Sequence, residues 1–138
     1  QIFGVKKSYK KLKYSVNDSC AYCFEPSIKD LKTTPIIEES DIDTFDFKNQ
    51  IIKLNKSGNL KRKNLKISVY GLPVVLTLDG EILYGFWLWA SGSSVGCDRV
   101  YAYNYGELKI KFGLPHYNTF GKDPRFNKKL KTYLESKN

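Results

Sequence analysis

Residues 71–89, GLPVVLTLDGEILYGFWLW, decide the fold, because they form the most concentrated apolar stretch of the chain. Two β-prone runs, 74–78 and 81–89, flank the dipeptide Asp79-Gly80. A two-residue hairpin turn needs positive φ angles, which Asp and Gly tolerate best. The stretch therefore predicts a β-hairpin with Leu78 opposite Glu81, Thr77 opposite Ile82, Leu76 opposite Leu83 and Val75 opposite Tyr84.

Both faces of this hairpin are apolar if side chains alternate along each strand. One predicted face carries Val74, Leu76, Leu78, Leu83, Trp87 and Trp89. The other carries Val75, Thr77, Ile82, Tyr84, Phe86 and Leu88. We therefore expect a central hairpin, covered on one face by a C-terminal helix and on the other by the N-terminal half of the chain or by a partner.

A second hairpin is predicted downstream of residue 99. Val100 and Ala102 alternate with Tyr101, Tyr103 and Tyr105, and Gly106-Glu107 can form the turn. The next strand alternates cleanly, with Leu108, Ile110 and Phe112 facing inward and two lysines facing solvent.

The end of the chain predicts a helix over residues 123–135. Asp123 suits the N-cap and Pro124 the first helical position. Phe126, Leu130, Tyr133 and Leu134 follow at the spacing of one buried face. The predicted fold class is α+β: a mostly antiparallel sheet of about four to six strands with the C-terminal helix packed on one face.

The 138 residues fit one domain, which we assign to residues 15–138. Residues 1–14 contain five lysines and predict a basic, mobile N-terminal tether, with a strand forming towards 12–16. The chain has no Met and begins with Gln1. We expect that an upstream segment has been removed, and a tether following a lipid-modified Cys would have this composition.

The formal net charge of +9 raises nucleic-acid binding as an alternative function, through Lys61–Lys66 and the N-terminal lysines. Nearly all of the basic residues are lysines, with arginine only at Arg62, Arg99 and Arg125. Because readers of bases and phosphates favour arginine, a solvated lysine surface is the preferred interpretation. No run of about 18 apolar residues occurs, so no membrane span is predicted.

The three cysteines are a C-x-x-C pair, Cys20 and Cys23, and the distant Cys97. Three single disulfides are possible. A zinc site with His116 has the right ligand types but matches no known spacing, and a redox motif lacks the preceding core strand. A structural disulfide or buried thiols are preferred, which adds some weight to export.

Catalytic and metal-binding patterns are weak. A Cys97–His116 dyad is the least favoured interpretation, because a lone loop histidine is more often a surface or packing residue. The carboxylates of residues 38–46 lack the calcium-loop pattern and predict solvated surface. No phosphate-binding or dinucleotide-binding motif occurs. We predict no enzyme activity, no metal and no cofactor.

The aromatic residues at the end of the hairpin are the main functional candidates. Trp89 precedes small polar residues, where an amphipathic ring is often half exposed. With Tyr101 and Tyr103 it would form a contact surface for a protein or a glycan. The predicted partner-binding residues are Trp89, Ser93, Ser94, Tyr101 and Tyr103. Ser93 and Ser94 lie in a segment that also fits a flexible connector or an anion-binding turn.

Residues 39–89 contain Ser40-Asp41-Ile42, an apolar run at 51–54, Ser57-Gly58, and the run 74–78 followed by Asp79-Gly80. This order resembles the extracytoplasmic domain of the SecD-type translocon subunit. The resemblance implies a small exported α+β module, and it carries over no translocation function and no site residues. We therefore predict an exported, non-enzymatic binding or cell-envelope module, extracytoplasmic in location, whose only membrane attachment would be an upstream lipid anchor.

Overall fold

A computed structural model of the chain describes residues 1–8, 12 and 19–137. These residues form eight strands and two α-helices, which confirms the α+β class. The strands are β1 (Ile2–Gly4), β2 (Ile42–Asp46), β3 (Ile51–Leu54), β4 (Leu72–Leu78), β5 (Glu81–Trp89), β6 (Cys97–Tyr103), β7 (Leu108–Lys109) and β8 (Lys111–Leu114). The helices are α1 (Lys56–Lys63) and α2 (Lys128–Ser136).

The strands form two sheets. The larger has five strands in the order β1-β4-β5-β6-β8, and all neighbours are antiparallel except the parallel pair β5–β6. The smaller, which the sequence did not predict, has the order β2-β3-β7. The chain changes sheets at Ile110, whose N–H donates to Gln50 O at 2.8 Å. The two sheets enclose a core between them.

The β4–β5 hairpin forms as predicted around Asp79 and Gly80, with φ angles of 50° and 77°. The first two predicted pairs, at Leu78 and Thr77, are confirmed. The next two are wrong, because Leu76 lies opposite Tyr84 and Val75 opposite Gly85. The register shifts there at Leu83, since a β-bulge adds one unpaired residue to one strand.

The bulge also corrects the predicted faces. Tyr84, Phe86 and Leu88 now share a face with Val74 and Leu76, and both tryptophans join Val75 on the other. The first group belongs to the inter-sheet core, which also contains Ile52 and Leu54 of β3, Val100 and Ala102 of β6, Ile110, and Leu130 of α2. The second belongs to what we call the tryptophan core: Val75, Trp87, Trp89, Tyr101 and Cys97, covered by Val5, Leu12, Tyr22 and Leu31. The expectation of two covered apolar faces is confirmed.

The N-terminus departs from the predicted tether. Ile2–Gly4 form β1, which pairs with β4 and closes one edge of the larger sheet. Ile2 is 1% exposed, so this segment is part of the core. The tether prediction is wrong here because an unpaired β4 would leave its edge N–H and C=O groups without partners. Of the strand predicted at 12–16, only the buried Leu12 lies within the described residues.

Helix α2 begins four residues later than predicted. Asn127 is its N-cap, with Oδ1 accepting from Leu130 N at 3.1 Å. Asp123 instead binds Arg125, whose NH1 donates to Ile110 O at 3.0 Å and ties this segment to the sheet. Asn and Asp are comparable N-caps, so this tertiary contact decides between them. Phe126 therefore lies outside the helix and is 53% exposed, whereas Leu130 is buried as predicted.

Neither helix of the described residues is long and apolar enough to cross a bilayer.

Candidate functional site

Two of the predicted contact residues lie in the core. Trp89 is 0% and Tyr101 is 3% exposed, so the prediction of a half-exposed Trp89 is wrong. The Trp89 ring packs edge-on against Tyr22, with ring centroids 5.1 Å apart. It also lies over Gly71, where a Cβ would approach Trp89 to 2.6 Å. Tertiary packing on both sides therefore encloses the indole.

The tyrosines at the end of β6 become more exposed along the chain. Tyr101 is buried, Tyr103 is half-buried and Tyr105 is 53% exposed. Their rings touch in sequence, with centroids 5.6 Å apart for the first pair and 5.1 Å for the second. Strand alternation places Tyr101 and Tyr103 on one side, and Tyr105, just after the strand, continues the row through its contact with Tyr103. A row of rings therefore runs from the tryptophan core to solvent.

The two predicted serines have different positions. Ser93 N donates to Ala90 O, which folds the chain back directly after β5. The Ser93 hydroxyl donates to Val69 O and accepts from Val95 N, so it holds the connection to β6 in place. Ser94 is exposed. Because Trp89 pairs with Tyr103, this turn begins beside the tyrosines.

We call the exposed parts of Ser93, Ser94, Tyr103, Asn104 and Tyr105 the tyrosine surface. It combines large rigid rings with small hydrogen-bonding groups. Tyr, Ser, Gly and Asn are the residues that binding loops favour, because tyrosine offers contact area at low entropic cost and the others adapt their hydrogen bonds. The arrangement is suited to binding.

Arg62 lies directly behind the tyrosine surface. This position was not predicted from the sequence. Its guanidinium donates to Asn104 Oδ1 at 3.3 Å, to Tyr103 O at 3.5 Å and to Asn59 Oδ1 at 3.5 Å. In return, Asn104 Nδ2 donates to Arg62 O at 3.0 Å. These contacts join the end of α1 to the end of β6. No local sequence signal links the two segments.

Arg62 is 8% exposed and makes no ion pair with any carboxylate of the described residues. Burial lowers the pKa of its guanidinium below the usual value, because desolvation disfavours the charged form. The neighbouring Lys61 is engaged elsewhere, with Nζ 2.7 Å from Asp41 Oδ2. Lys63 and Lys66 are exposed. The charge behind the tyrosine surface is therefore positive, and no carboxylate of the described residues serves as its counterion.

The cysteines contradict the catalytic and zinc interpretations. Cys20 and Cys23 form a disulfide, so neither sulfur is a free thiolate ligand. Cys97 is fully buried, and burial raises the pKa of its thiol to about 12. Its Sγ lies 3.6 Å from Arg99 O. The exposed His116 contacts Tyr117, with ring centroids 5.4 Å apart.

The predicted acidic surface is partly structural. Asp41 is 2% exposed, and it accepts from Lys61 and from Glu38 N. Asp46 accepts from Asn49, and Glu39 binds Lys137. Within the described part of the chain, no group of three or more potential ligands could hold a metal ion.

A groove of about 1000 Å³ lies elsewhere, between β2, the tip of the β4–β5 hairpin and α2. Phe45, Phe47 and Phe126 line it together with side chains of both charges, among them Asp43, Glu135, Lys48 and Lys131. This mixture favours no ligand charge. The tyrosine surface, with a single sign of charge behind it, is the more specific candidate site.

Comparison of the chain with protein-family models, with curated proteins and with solved structures finds no match. The resemblance to the SecD-type extracytoplasmic domain therefore stays a prediction from the sequence.

Proposed function

We propose that this protein is an exported, non-enzymatic binding module that contacts a glycan or a protein of the cell envelope through the tyrosine surface. The row of rings from Tyr101 to Tyr105 is the observation that carries the proposal. Its inner rings are anchored in the core, so the outer rings are presented with little conformational freedom to lose on binding.

The disulfide supports the extracytoplasmic part of the proposal. Cys20 and Cys23 are joined in the folded protein, and structural disulfides persist mainly in oxidising compartments. The buried, protonated thiol of Cys97 supports a non-enzymatic role, because the thiolate is the reactive form of cysteine.

Binding is tested by co-sedimentation of the purified protein with cell-envelope material from the source organism. Tyr105→Ala should lower the affinity at least about fivefold, since exposed aromatic anchors carry much of the energy of an interface. Tyr117→Ala is the matched control, because Tyr117 is 77% exposed but lies in the loop after β8. It should bind as the wild type does.

The same assay distinguishes the two ligand classes. Loss of binding after periodate oxidation of the envelope, which cleaves sugar diols, identifies a glycan, and loss after protease treatment identifies a protein. Absence of binding, or equal effects of the two tyrosine substitutions, would refute the proposed function.

A further inference from the structure

We infer that the ligand of the tyrosine surface is an acidic polysaccharide whose carboxylates pair with the positive charge of Arg62. This inference rests on the proposed function and narrows its ligand to one chemical class.

Arg62 is an unusual feature of the core, because buried charges in proteins are normally paired. Within the described residues it makes three hydrogen bonds, all to uncharged oxygens. A guanidinium has further N–H groups to donate, and its planar fork matches a carboxylate. The guanidinium of Arg62 therefore has no anionic partner among the described carboxylates.

The positive charge of Arg62 lies next to the tyrosine surface. Its guanidinium donates to the backbone of Tyr103 and to the side chain of Asn104, both of which belong to that surface. The charge of a residue that is only 8% exposed is screened by water and salt far less than that of a surface lysine. A ligand carboxylate placed beside Tyr103 would therefore be attracted strongly.

Two exposed lysines close to Arg62 in the sequence add positive charge. Lys63 follows Arg62 at the end of α1, and Lys66 lies three residues further on. The nearby carboxylates of Asp41 and Glu38 both contact Lys61. The ligand that complements this site has ring faces for the tyrosines, hydroxyls for Ser94 and Asn104, and carboxylates for Arg62.

A polysaccharide built from uronic acid rings has all three groups. A single-stranded nucleic acid also combines rings with anions. The Cys20–Cys23 disulfide favours the polysaccharide, because it supports a location outside the reducing cytosol.

The test compares oligogalacturonate with its methyl ester, which keeps the sugar rings and replaces each carboxylate by an uncharged ester. Calorimetry at about 50 mM salt should give an affinity for the acid at least about tenfold higher than for the ester. The difference should shrink only partly at higher salt, because Arg62 is buried.

Asn104→Asp is the decisive variant, since it is isosteric and gives Arg62 an internal carboxylate. It should lower the ratio of the affinity for the acid to the affinity for the ester at least about tenfold. Asn118→Asp is the control, because Asn118 also donates its amide to a backbone carbonyl, that of Leu114, which pairs with Cys97 at the end of β6 opposite to Tyr103.

Lys63→Gln provides a second comparison that leaves the core intact. It should weaken binding of the acid several-fold, whereas Lys131→Gln, which removes an exposed lysine of α2, should not. Circular dichroism of each variant confirms that the fold is retained.

Equal affinities for acid and ester, or tighter binding of a single-stranded oligonucleotide than of the acid, would overturn the inference. Failure of both sugars to bind, while Tyr105-dependent binding to the envelope persists, would also overturn it and leave the proposed function intact.

Discussion

Arg62 and Asn104 exchange two hydrogen bonds across 42 residues of sequence: Asn104 Nδ2 to Arg62 O at 3.0 Å, and Arg62 Nε to Asn104 Oδ1 at 3.3 Å. Asn104 N also donates to Trp89 O at 3.0 Å. One residue thereby joins the ends of α1, β5 and β6. The basic run and the aromatic run, which the sequence separates, meet at this point.

Asn104→Ala should lower the free energy of unfolding by about 2 kcal/mol, because it leaves the buried Nε–H of Arg62 without its acceptor and removes one of the hydrogen bonds to Arg62 O. Chemical denaturation monitored by circular dichroism measures the change. Asn118→Ala, which removes an exposed amide bonded to Leu114 O, should cost less than about 1 kcal/mol. Similar losses in both variants would show that the Arg62–Asn104 contact is not structural.

Gly71→Ala should lower the free energy of unfolding by about 3 kcal/mol. Gly71 has φ +87°, and an added Cβ would lie 2.6 Å from the buried ring of Trp89. Gly80→Ala is the matched control, because it has φ +77° and nothing within 4 Å of the added Cβ. Its cost should be about 1 kcal/mol, from backbone strain alone. Thermal denaturation of both variants measures the difference between the two costs, which is due to the contact with Trp89. Equal costs would show that this contact is absent.

Asp98→Ala should loosen the loop that covers the tryptophans. Its carboxylate accepts from the N–H groups of Ala21 and Tyr22, and Tyr22 O in turn accepts from Trp87 Nε1 at 2.9 Å. Both tryptophans of the protein lie under this loop, so intrinsic fluorescence should shift to the red as water reaches them.

The control for the loop is Asp46→Ala, because Asp46 accepts from the N–H of Asn49 in the same manner but in the smaller sheet. Its emission should match that of the wild type. An unshifted spectrum for Asp98→Ala would mean that other contacts hold the loop in place.

Stability should decrease in acid partly through Asp41. Lys61 and the Glu38 N–H hold the pKa of this carboxyl below its usual value. Native Asp41 therefore binds a proton less readily than the unfolded chain does, and its contribution is present above about pH 4 and lost as the pH falls through the native pKa. Chemical denaturation at several pH values should show that the free energy of unfolding of Asp41→Asn falls less steeply with decreasing pH than that of the wild type.

Asp43→Asn is the control for this pH dependence, since Asp43 is exposed and makes no ion pair with the described residues. Its free energy of unfolding should depend on pH as steeply as that of the wild type between about pH 6 and pH 3. Identical slopes for the two variants would rule out a special contribution from Asp41.

Features that depend on neighbouring residues were predictable from the sequence. Asp79-Gly80 determines the hairpin turn through its backbone angles, and alternation in 100–105 separates Val100 and Ala102 from the tyrosines. The apolar character of both hairpin faces required cover on each side, which α2 and the first third of the chain provide. Local conformational preference and the period of a strand suffice for these features.

Tertiary structure alone decided which residues meet. The bulge at Leu83 moved both tryptophans to the face of Val75, because a shift of one residue exchanges the two faces of a strand. Packing against Tyr22 and Gly71 then buried Trp89 and left Tyr103 and Tyr105 as the exposed aromatic residues. The pairing of Arg62 with Asn104 likewise depends on how α1 docks against the end of β6, a long-range contact that no local pattern encodes.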